Sequence, residues 1–539
     1  MNWWEKAVIY QIYPKSFADS NGDGIGDIPG ICQHLDELHQ LGINTLWLNP
    51  IFQSPQVDNG YDVSDYYQID PLFGTMEDVE TLIAKAHQRG MKVIFDLVLN
   101  HTSDQHPWFQ EALHHPDSPY RQFYYFQKGK PNNWGSFFGG SVWEPCGNGE
   151  FYFHLFDKSM PDLNWTNPKV RQAMVEVARF WAKKGVDGFR LDAFIHIAKA
   201  NFALQGEPVE QENVVAEQYF AHLAEVHHYL QEFRAALDDE FPHLFYLGEA
   251  SSADAKQAKQ YMLPENHECD TVVSFRYFAE SDCVVDCHLP ARFQPKQWQR
   301  DTFARTMDEW QSVIGSISYP TLYWNNHDMA RVISRFGDER HPASQKCLAT
   351  LMYLQKGIPL ILYGEELGLP DWVASEVAQI EEDGAEDFYR CAIEKGYEPD
   401  YILSMMSHQS RHASRGMFSW DKKVKQWHGG IQREIMPYHQ QQKQPDSMWH
   451  FYQQLLALKK EDLFVYGTYS RLSNSPYAYR RTWQGEEAEI YAQLDQTTIT
   501  IPVRRDQRVI LAQNAEINAN SITLHPYGSC VLKGVDHHE

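Results

Sequence analysis

The sequence predicts an α/β protein built on a closed (β/α)8 barrel, the TIM-barrel architecture. Three observations carry this prediction. Short apolar strands alternate with helices of amphipathic period, and eight such strands can be counted. Carboxylates and histidines also collect just past several strand ends, where barrels of this kind place their chemistry.

The first strand is "AVIYQIYP" at residues 7–14. "IPGICQHLDELHQLG" follows with Ile31, Leu35, Leu38 and Leu41 at helical spacing and a stop at Gly42, so one helix is expected there. "NTLWLNP" is the second strand, "MEDVETLIAKAHQRG" a helix stopped by Gly90, and "KVIFDLVLNH" the third strand. From about residue 102 to 166 the chain is rich in Trp, Phe, Tyr, Gly, Pro and Asn without helical period, which predicts an irregular excursion domain. A helix over "NPKVRQAMVEVARFWAKKG" and the strands "GFRLDAF", "FYLGEAS", "TVVSFRY", "SISYPTLYWNNHD" and "IPLILYGEE" complete the set. Alternating segments such as "EIYAQL", "TITIPV" and "SITLHP" predict a C-terminal antiparallel β-domain. The expected division is 1–103 with 167–463 for the barrel, 104–166 for the excursion domain and 464–539 for a C-terminal β-sandwich.

At 539 residues and 43% hydrophobic content the chain can bury a large core, and a net charge of −25 disfavours nucleic acid and anionic membranes as partners. It has no apolar run of about 18 residues, no basic-then-apolar leader, and eight cysteines without a CxxC pair. The expectation is a cytoplasmic protein with free, mostly buried thiols and a small neutral substrate; the sequence sets no oligomeric state. The terminal "HHE" is too short to read as a metal site.

The candidate chemistry sits at strand ends. His101 follows the third strand, Arg190 and Asp192 close the fourth, Glu249 the fifth, and His327 with Asp328 the seventh. Two carboxylates flanking a glycosidic bond can act as nucleophile and acid. Arg190, two residues before Asp192, points to the same side of its strand, and its fixed charge is expected to keep Asp192 ionised. Repulsion from Asp192 and Asp328 would hold a proton on Glu249. Asp328 is then free to hold sugar hydroxyls, and His101 and His327 to donate to them. Singly, a strand-end carboxylate is more often a cap or an ion-pair partner; the joint pattern is much harder to obtain by accident.

"DLVLNH", "GFRLDAF", "GEA" and "NNHD" resemble the four ordered catalytic regions of the alpha-amylase superfamily, glycoside hydrolase family 13, and "MPDLNW" resembles its extra motif in the excursion domain. "WWEKAVIYQIYPKSF", "DNGYDVSDYYQIDPLFGTMED" and "RVISRFGDE" are similar to the branch that holds oligo-1,6-glucosidase, dextran glucosidase, alpha-glucosidase and trehalose-6-phosphate hydrolase. The resemblance implies a retaining mechanism with Asp192 as nucleophile, Glu249 as acid then base, and Asp328 as transition-state stabiliser. It implies that Asp58 and Tyr61 of "DNGY", Phe156, and Arg415 of "SRGMFSWD" hold the terminal glucose, which enforces exo action. "SRGMFSWD" departs from the usual "ARTPMQWD" at Gly416, Met417, Phe418 and Ser419, a stretch that faces the leaving sugar in this branch, while Arg415 is retained. Val after the nucleophile goes with α-1,6 preference in this branch; Ala193 stands here and favours α-1,4 maltose-type substrates, by about 1–3 kcal/mol. Isomaltose-type hydrolysis, trehalose-6-phosphate hydrolysis and glucosyl transfer or isomerisation are the alternatives. A non-catalytic binding subunit of the same fold would carry a membrane segment and degenerate carboxylates, and this sequence shows neither.

"DSNGDGIGD" at residues 19–27 opens like an EF-hand loop, but its twelfth position is Gly30 and Pro29 precedes it, so it is not one. The resemblance implies a structural Ca²⁺ there, held by Asp19, Asn21, Asp23 and Asp27 with the Ile25 carbonyl; oxygen donors also suit Mg²⁺. The alternative is a string of Asx turns that caps itself. Trp134, Phe137, Phe138 and Trp143 either stack on sugar or form the core of the excursion.

Overall fold

The structure, a computed structural model, describes residues 2–534 apart from 279, 283–284, 291, 383 and 422–425. Cys283 and the terminal "HHE" lie outside the described residues. The eight expected strands are present: β1 Ile9–Ile12, β2 Thr45–Leu48, β3 Lys92–Val98, β4 Gly188–Asp192, β5 Phe245–Glu249, β6 Thr271–Val273, β7 Thr321–Leu322 and β8 Ile358–Leu362. They form one eight-stranded sheet in the order β6-β5-β4-β3-β2-β1-β8-β7. The pairs β3–β4, β4–β5, β5–β6, β7–β8 and β1–β8 are parallel. Residues of β1, β2, β4 and β8 are buried throughout, because helices cover the outer face of such a sheet and its interior is filled by side chains.

The chain divides into two compact units, Met1–Leu46 with Tyr277–Glu539, and Trp47–Arg276; the division falls inside β2. In the unit Trp47–Arg276, the helix Met76–Gln88 starts on a capping box between Thr75 and Asp78. The helix Pro168–Lys183 starts on Asn167, whose side chain accepts from the Lys169 N–H, with Pro168 at its first position. It buries Val170, Met174, Val177, Ala178 and Trp181, one face of a 3.6-residue period.

The excursion after β3 contains a small antiparallel sheet of Phe126–Lys128, Glu150–Phe153 and Trp143–Gly147, in that order. Its core is Trp134, Val142, Trp143, Phe153 and Leu155, joined by Ala216 and Phe220 with Phe202 packed against them. Trp134 and Trp143 are therefore core residues, while Phe137 and Phe138 lie against Phe156, 5.6 and 5.7 Å between ring centroids. Sequence alone did not attach residues 202–220 to this excursion. The attachment is a backbone pairing, Gly135 N–H to the Val214 carbonyl at 2.7 Å, and a Cβ on Gly135 would lie 2.3 Å from the Asn213 oxygen.

In the other unit two expectations are corrected. The single helix expected through Gly42 is two, Ile28–Gln33 and Leu35–Leu41, broken at His34, whose ring lies flat on Trp420 at 3.4 Å. The seventh strand is two residues long: Pro320 has no N–H to extend the ladder, and its carbonyl instead accepts from Ile358 N–H. The C-terminal region is a six-stranded antiparallel sheet, with Ile501, Ile522, Leu524, Cys530 and Leu532 as its core. The thiols are less buried than expected. The seven described cysteines are free, but Cys269, Cys347 and Cys530 alone among them are buried, and Cys287 is exposed.

Past β8 lie two fully buried carboxyls. Glu365 accepts from Tyr353 and Tyr452, and Glu366 from Tyr10 of β1. Burial pushes Glu365 up to about 7 and Glu366 up to about 8, against the partial relief of these hydroxyls. Both folded values exceed the unfolded value of 4.5, so the unfolded chain loses these protons first as pH rises. Their contribution to stability is full below pH 4.5 and is lost as pH climbs toward 8. Glu366→Gln, which mimics the neutral form, should lose less stability between pH 5 and 8 than the parent, by an amount on the order of a few kcal/mol. Urea unfolding at several pH values checks this; parallel stability profiles for the two chains would refute it.

Candidate active site

The unit Trp47–Arg276 holds a buried cluster built on Arg190. Arg190 and Asp192 alternate by two along β4, so both side chains leave the strand on one face. In the β3–β4 register Asp96 stands beside Arg190 and Val98 beside Asp192. Arg190 Nη1 pairs with Asp96 Oδ1 at 2.6 Å and with Asp192 Oδ1, while Nη2 pairs with Glu249 Oε1 at 2.7 Å. Its guanidinium also lies 5.3 Å from the Trp47 ring and 5.7 Å from that of Tyr61. One cation thus serves three carboxylates. Asp96 was not singled out by sequence, although it opens "DLVLNH"; its signal is the register, which sequence does not print.

Arg190 acts on Asp192 in the expected direction, against other influences. Burial pushes Asp192 well above the ordinary carboxylate range; Arg190 pulls it back, and the charges of Glu249 and Asp96 push it further up. Asp96 is raised for the same first reason, against Arg190. The guanidinium charge is divided among three acids, and at Asp192 it works against burial and against two acidic neighbours.

Ala193, directly after Asp192, is left-handed at φ 47°, and its N–H donates to Glu249 Oε2 at 3.1 Å. A non-glycine residue in that region costs on the order of 1–2 kcal/mol, held here by the packed strand ends. Asp58 to Tyr61 form a tight turn closed by Tyr61 N–H to the Asp58 carbonyl at 3.1 Å, with Asn59 at φ 53° and Gly60 at φ 103°. "Asn-Gly" is what such a turn demands. The Tyr61 hydroxyl then sits between Asn49, at 2.8 Å, and Asp96, at 3.1 Å.

His101 is buried, and burial lowers it to about 4, so it is neutral near pH 7. Its Nδ1 stands 3.3 Å from the Asn100 amide nitrogen, and a hydrogen bond to the Tyr61 backbone partly offsets the effect of burial. Its Nε2 has no hydrogen-bond partner among the described residues. The Phe156 ring lies 5.2 Å from the imidazole.

The unit that contains Tyr277–Glu539 holds a second group. His327 Nε2 stands 3.2 Å from Asp328 Oδ2, and its Nδ1 stands 2.8 Å from the Gln11 amide. Arg415 Nη2 donates to Asp328 Oδ1 at 2.9 Å and Nε to the His327 carbonyl at 2.8 Å. The guanidinium lies 5.1 Å from the ring of Tyr13, a residue that sequence did not single out. Asp328 keeps 26% of its side chain exposed and lines a cavity of about 430 Å³ with Met329, Tyr401, Met405 and His408.

The loop at residues 19–27 shows the Asx string in full. Asp19 accepts from the N–H groups of Asn21, Gly22 and Gly24, Asn21 from Asp23, and Asp23 from Ile25. Asp27 caps the helix Ile28–Gln33 through Gly30 N–H at 2.6 Å and takes Ser20 on its other oxygen. The side chains of Asp19, Asn21, Asp23 and Asp27 with the Ile25 carbonyl are all oxygen donors, a set whose chemistry fits a hard cation. Their oxygens are meanwhile turned to the N–H groups of their own loop.

Comparison with known proteins places the chain in a family. The model of the alpha-amylase catalytic domain matches residues 11–467. An oligo-1,6-glucosidase of Halalkalibacterium halodurans is 36% identical over 99% of both chains, and an alpha-glucosidase of Pediococcus pentosaceus is 36% identical over 86% of this chain and 85% of its own. A solved structure described as a family GH13_31 enzyme superposes with a TM-score of 0.91 at 44% identity, covering 99% of this chain and 100% of that one. The barrel, the carboxylate cluster and these full-length matches lead to one conclusion: the chain belongs to the alpha-amylase family, glycoside hydrolase family 13, and is a glycoside hydrolase.

Proposed function

We propose that the chain is an exo-acting, retaining alpha-glucosidase that releases glucose from the non-reducing end of short α-1,4-linked malto-oligosaccharides and also transfers glucosyl groups to other sugars. The observation that carries this reading is the single guanidinium of Arg190 holding Asp192 and Glu249 on its two terminal nitrogens. A shared cation suits the roughly 5–5.5 Å separation of a retaining pair, in which no water fits between the carboxyls.

In this reading the cluster keeps its negative charge at Asp192 and a proton at Glu249. Asp192 attacks the anomeric carbon while Glu249 gives its proton to the departing glycosidic oxygen, which leaves a glucosyl ester on Asp192. Glu249, now ionised, takes a proton from water as that water attacks the same carbon, and Asp192 leaves. A sugar hydroxyl in place of water gives transfer. Asp328 stabilises the transition state. Asp58, Tyr61, Phe156 and Arg415 hold the terminal glucose, with His101 Nε2 and His327 donating to its hydroxyls. Ala193, smaller than Val, supports α-1,4 preference. The relatives named oligo-1,6-glucosidases support a second reading, hydrolysis of α-1,6 links by the same residues.

We further propose that the loop at residues 19–27 takes one Ca²⁺, on the strength of its donor set. Bound metal would hold this turn of the chain and adds no step to the reaction above.

Asp192→Asn should lose nearly all turnover while still folding, and Glu249→Gln about 10²–10⁴-fold in kcat; near-normal rates in Asp192→Asn would sink the mechanism. Among maltose, isomaltose, trehalose 6-phosphate and sucrose, maltose should be turned over fastest, with α-glucose appearing first by NMR. Faster isomaltose would keep the mechanism and remove the Ala193 argument. Metal analysis should find about one Ca²⁺ per chain, and chelation should lower the thermal midpoint; an unmoved midpoint and no metal would dismiss the loop site.

A further inference from the structure

The chain after β6 carries a different chemistry from that of the acids at the strand ends. Among the described residues, Asp286, Cys287 and His288 form a group in which a carboxylate oxygen, a thiol sulfur and an imidazole nitrogen all lie within 4.8 Å of one another. Cys287 is a free thiol. It and His288 are exposed, so both are open to an ion from solvent. None of the three lines the cavity that Asp328 lines.

Three consecutive side chains converge only where the backbone turns between them, and this turn is gripped from below. Gln294 is 2% exposed. Its Oε1 accepts from the N–H groups of Val285 and Asp286 at 2.7 and 3.1 Å. Its Nε2 donates to the carbonyls of Asp286, Leu289 and Pro290 at 2.9, 3.0 and 3.3 Å. One buried amide thus holds the chain on both sides of Cys287 and His288. Leu289 and Phe293 anchor the same stretch in a core with Phe388 and Leu403. Asp286 Oδ1 accepts the His288 N–H at 2.8 Å, and the Tyr397 hydroxyl stands 3.3 Å from Oδ2. With the backbone already ordered, an ion that closes the group has only side-chain rotations left to fix.

The donor set selects the ion. Ca²⁺ and Mg²⁺ take oxygen ligands, so sulfur and imidazole nitrogen do not suit them. Thiolate, imidazole and carboxylate together are ligands of Zn²⁺. In a tetrahedral zinc site the ligand atoms stand roughly 3.3–3.6 Å apart, as follows from Zn–S of about 2.3 Å and Zn–N or Zn–O of about 2.0–2.2 Å. Rotation of these side chains on their fixed turn covers the step from the 4.8 Å that bounds the group. We propose that Asp286, Cys287 and His288 bind one Zn²⁺, with water in the fourth position. The site differs in kind from the all-oxygen loop at residues 19–27. Its ion pins the turn after β6 and takes no part in hydrolysis, so the proposal stands apart from the glucosidase reading.

Cobalt(II), a spectroscopic stand-in for Zn²⁺, tests it on the full chain, reduced, stripped of metal and given excess Ca²⁺ to fill oxygen-only sites. The parent should show a thiolate-to-cobalt charge-transfer band in the near ultraviolet. The band should saturate at about one Co²⁺ per chain and vanish when Zn²⁺ is added. Cys287→Ser should lose the band, and His288→Ala should need about tenfold more Co²⁺, or beyond, to reach half of it. Both side chains are exposed, so neither change disturbs the core, and far-ultraviolet circular dichroism of both variants should match the parent. No band in the parent, or an unchanged titration in either variant, overturns the proposal.

Discussion

The site depends on one constraint, a guanidinium placed out of water among three acids. Arg190 is 2% exposed, and its partners Asp96, Asp192 and Glu249 lie on strands that flank it or on its own. A buried cation is tolerable when carboxylates surround it, and buried carboxylates are tolerable when they share a cation. The surplus of acid over base is the useful part. Burial drives protons onto the set while Arg190 resists, so the cluster is poised between protonation states, as a pair that must act as base and acid requires.

The barrel serves that constraint through register. Parallel pairing sets Asp96 level with Arg190, and the two-residue alternation of β4 sets Asp192 on the same face. Where β4 ends, the chain turns through Ala193 in a left-handed conformation that points its N–H at Glu249. The strain at Ala193 and the buried charges beside it are local costs. They are offset by the strands and helices around them, which bury apolar residues nearly throughout.

The two units carry different kinds of polar burial. In Trp47–Arg276 it is ionic, with Arg190 and its acids, and Lys199 against Asp162 at 2.9 Å. In the unit that contains Tyr277–Glu539 several buried ionisable groups have neutral partners: Glu365 and Glu366 sit among tyrosine hydroxyls, and Arg481 and Lys459 end on backbone carbonyls. Raised carboxyls and lowered cations there mark groups that burial brings toward neutrality.

The sequence by itself determined the barrel, because eight apolar runs and the helices between them carry their periodicity locally. It also supplied the order of the strands and the residues Arg190, Asp192, Glu249, His327 and Asp328, since motifs at strand ends are contiguous in the chain. What only the tertiary structure decided depends on residues far apart in the chain. Asp96 joins Arg190 across a gap of 94 residues, and nothing in "DLVLNH" announces the partner. Phe202 and Phe220 pack on the excursion's core though the chain has by then returned to the barrel. The break of the first helix at His34 involves Trp420. Burial, the largest influence on the Asp192 carboxyl, is set by the packing around it, and no spacing of residues along a sequence measures it.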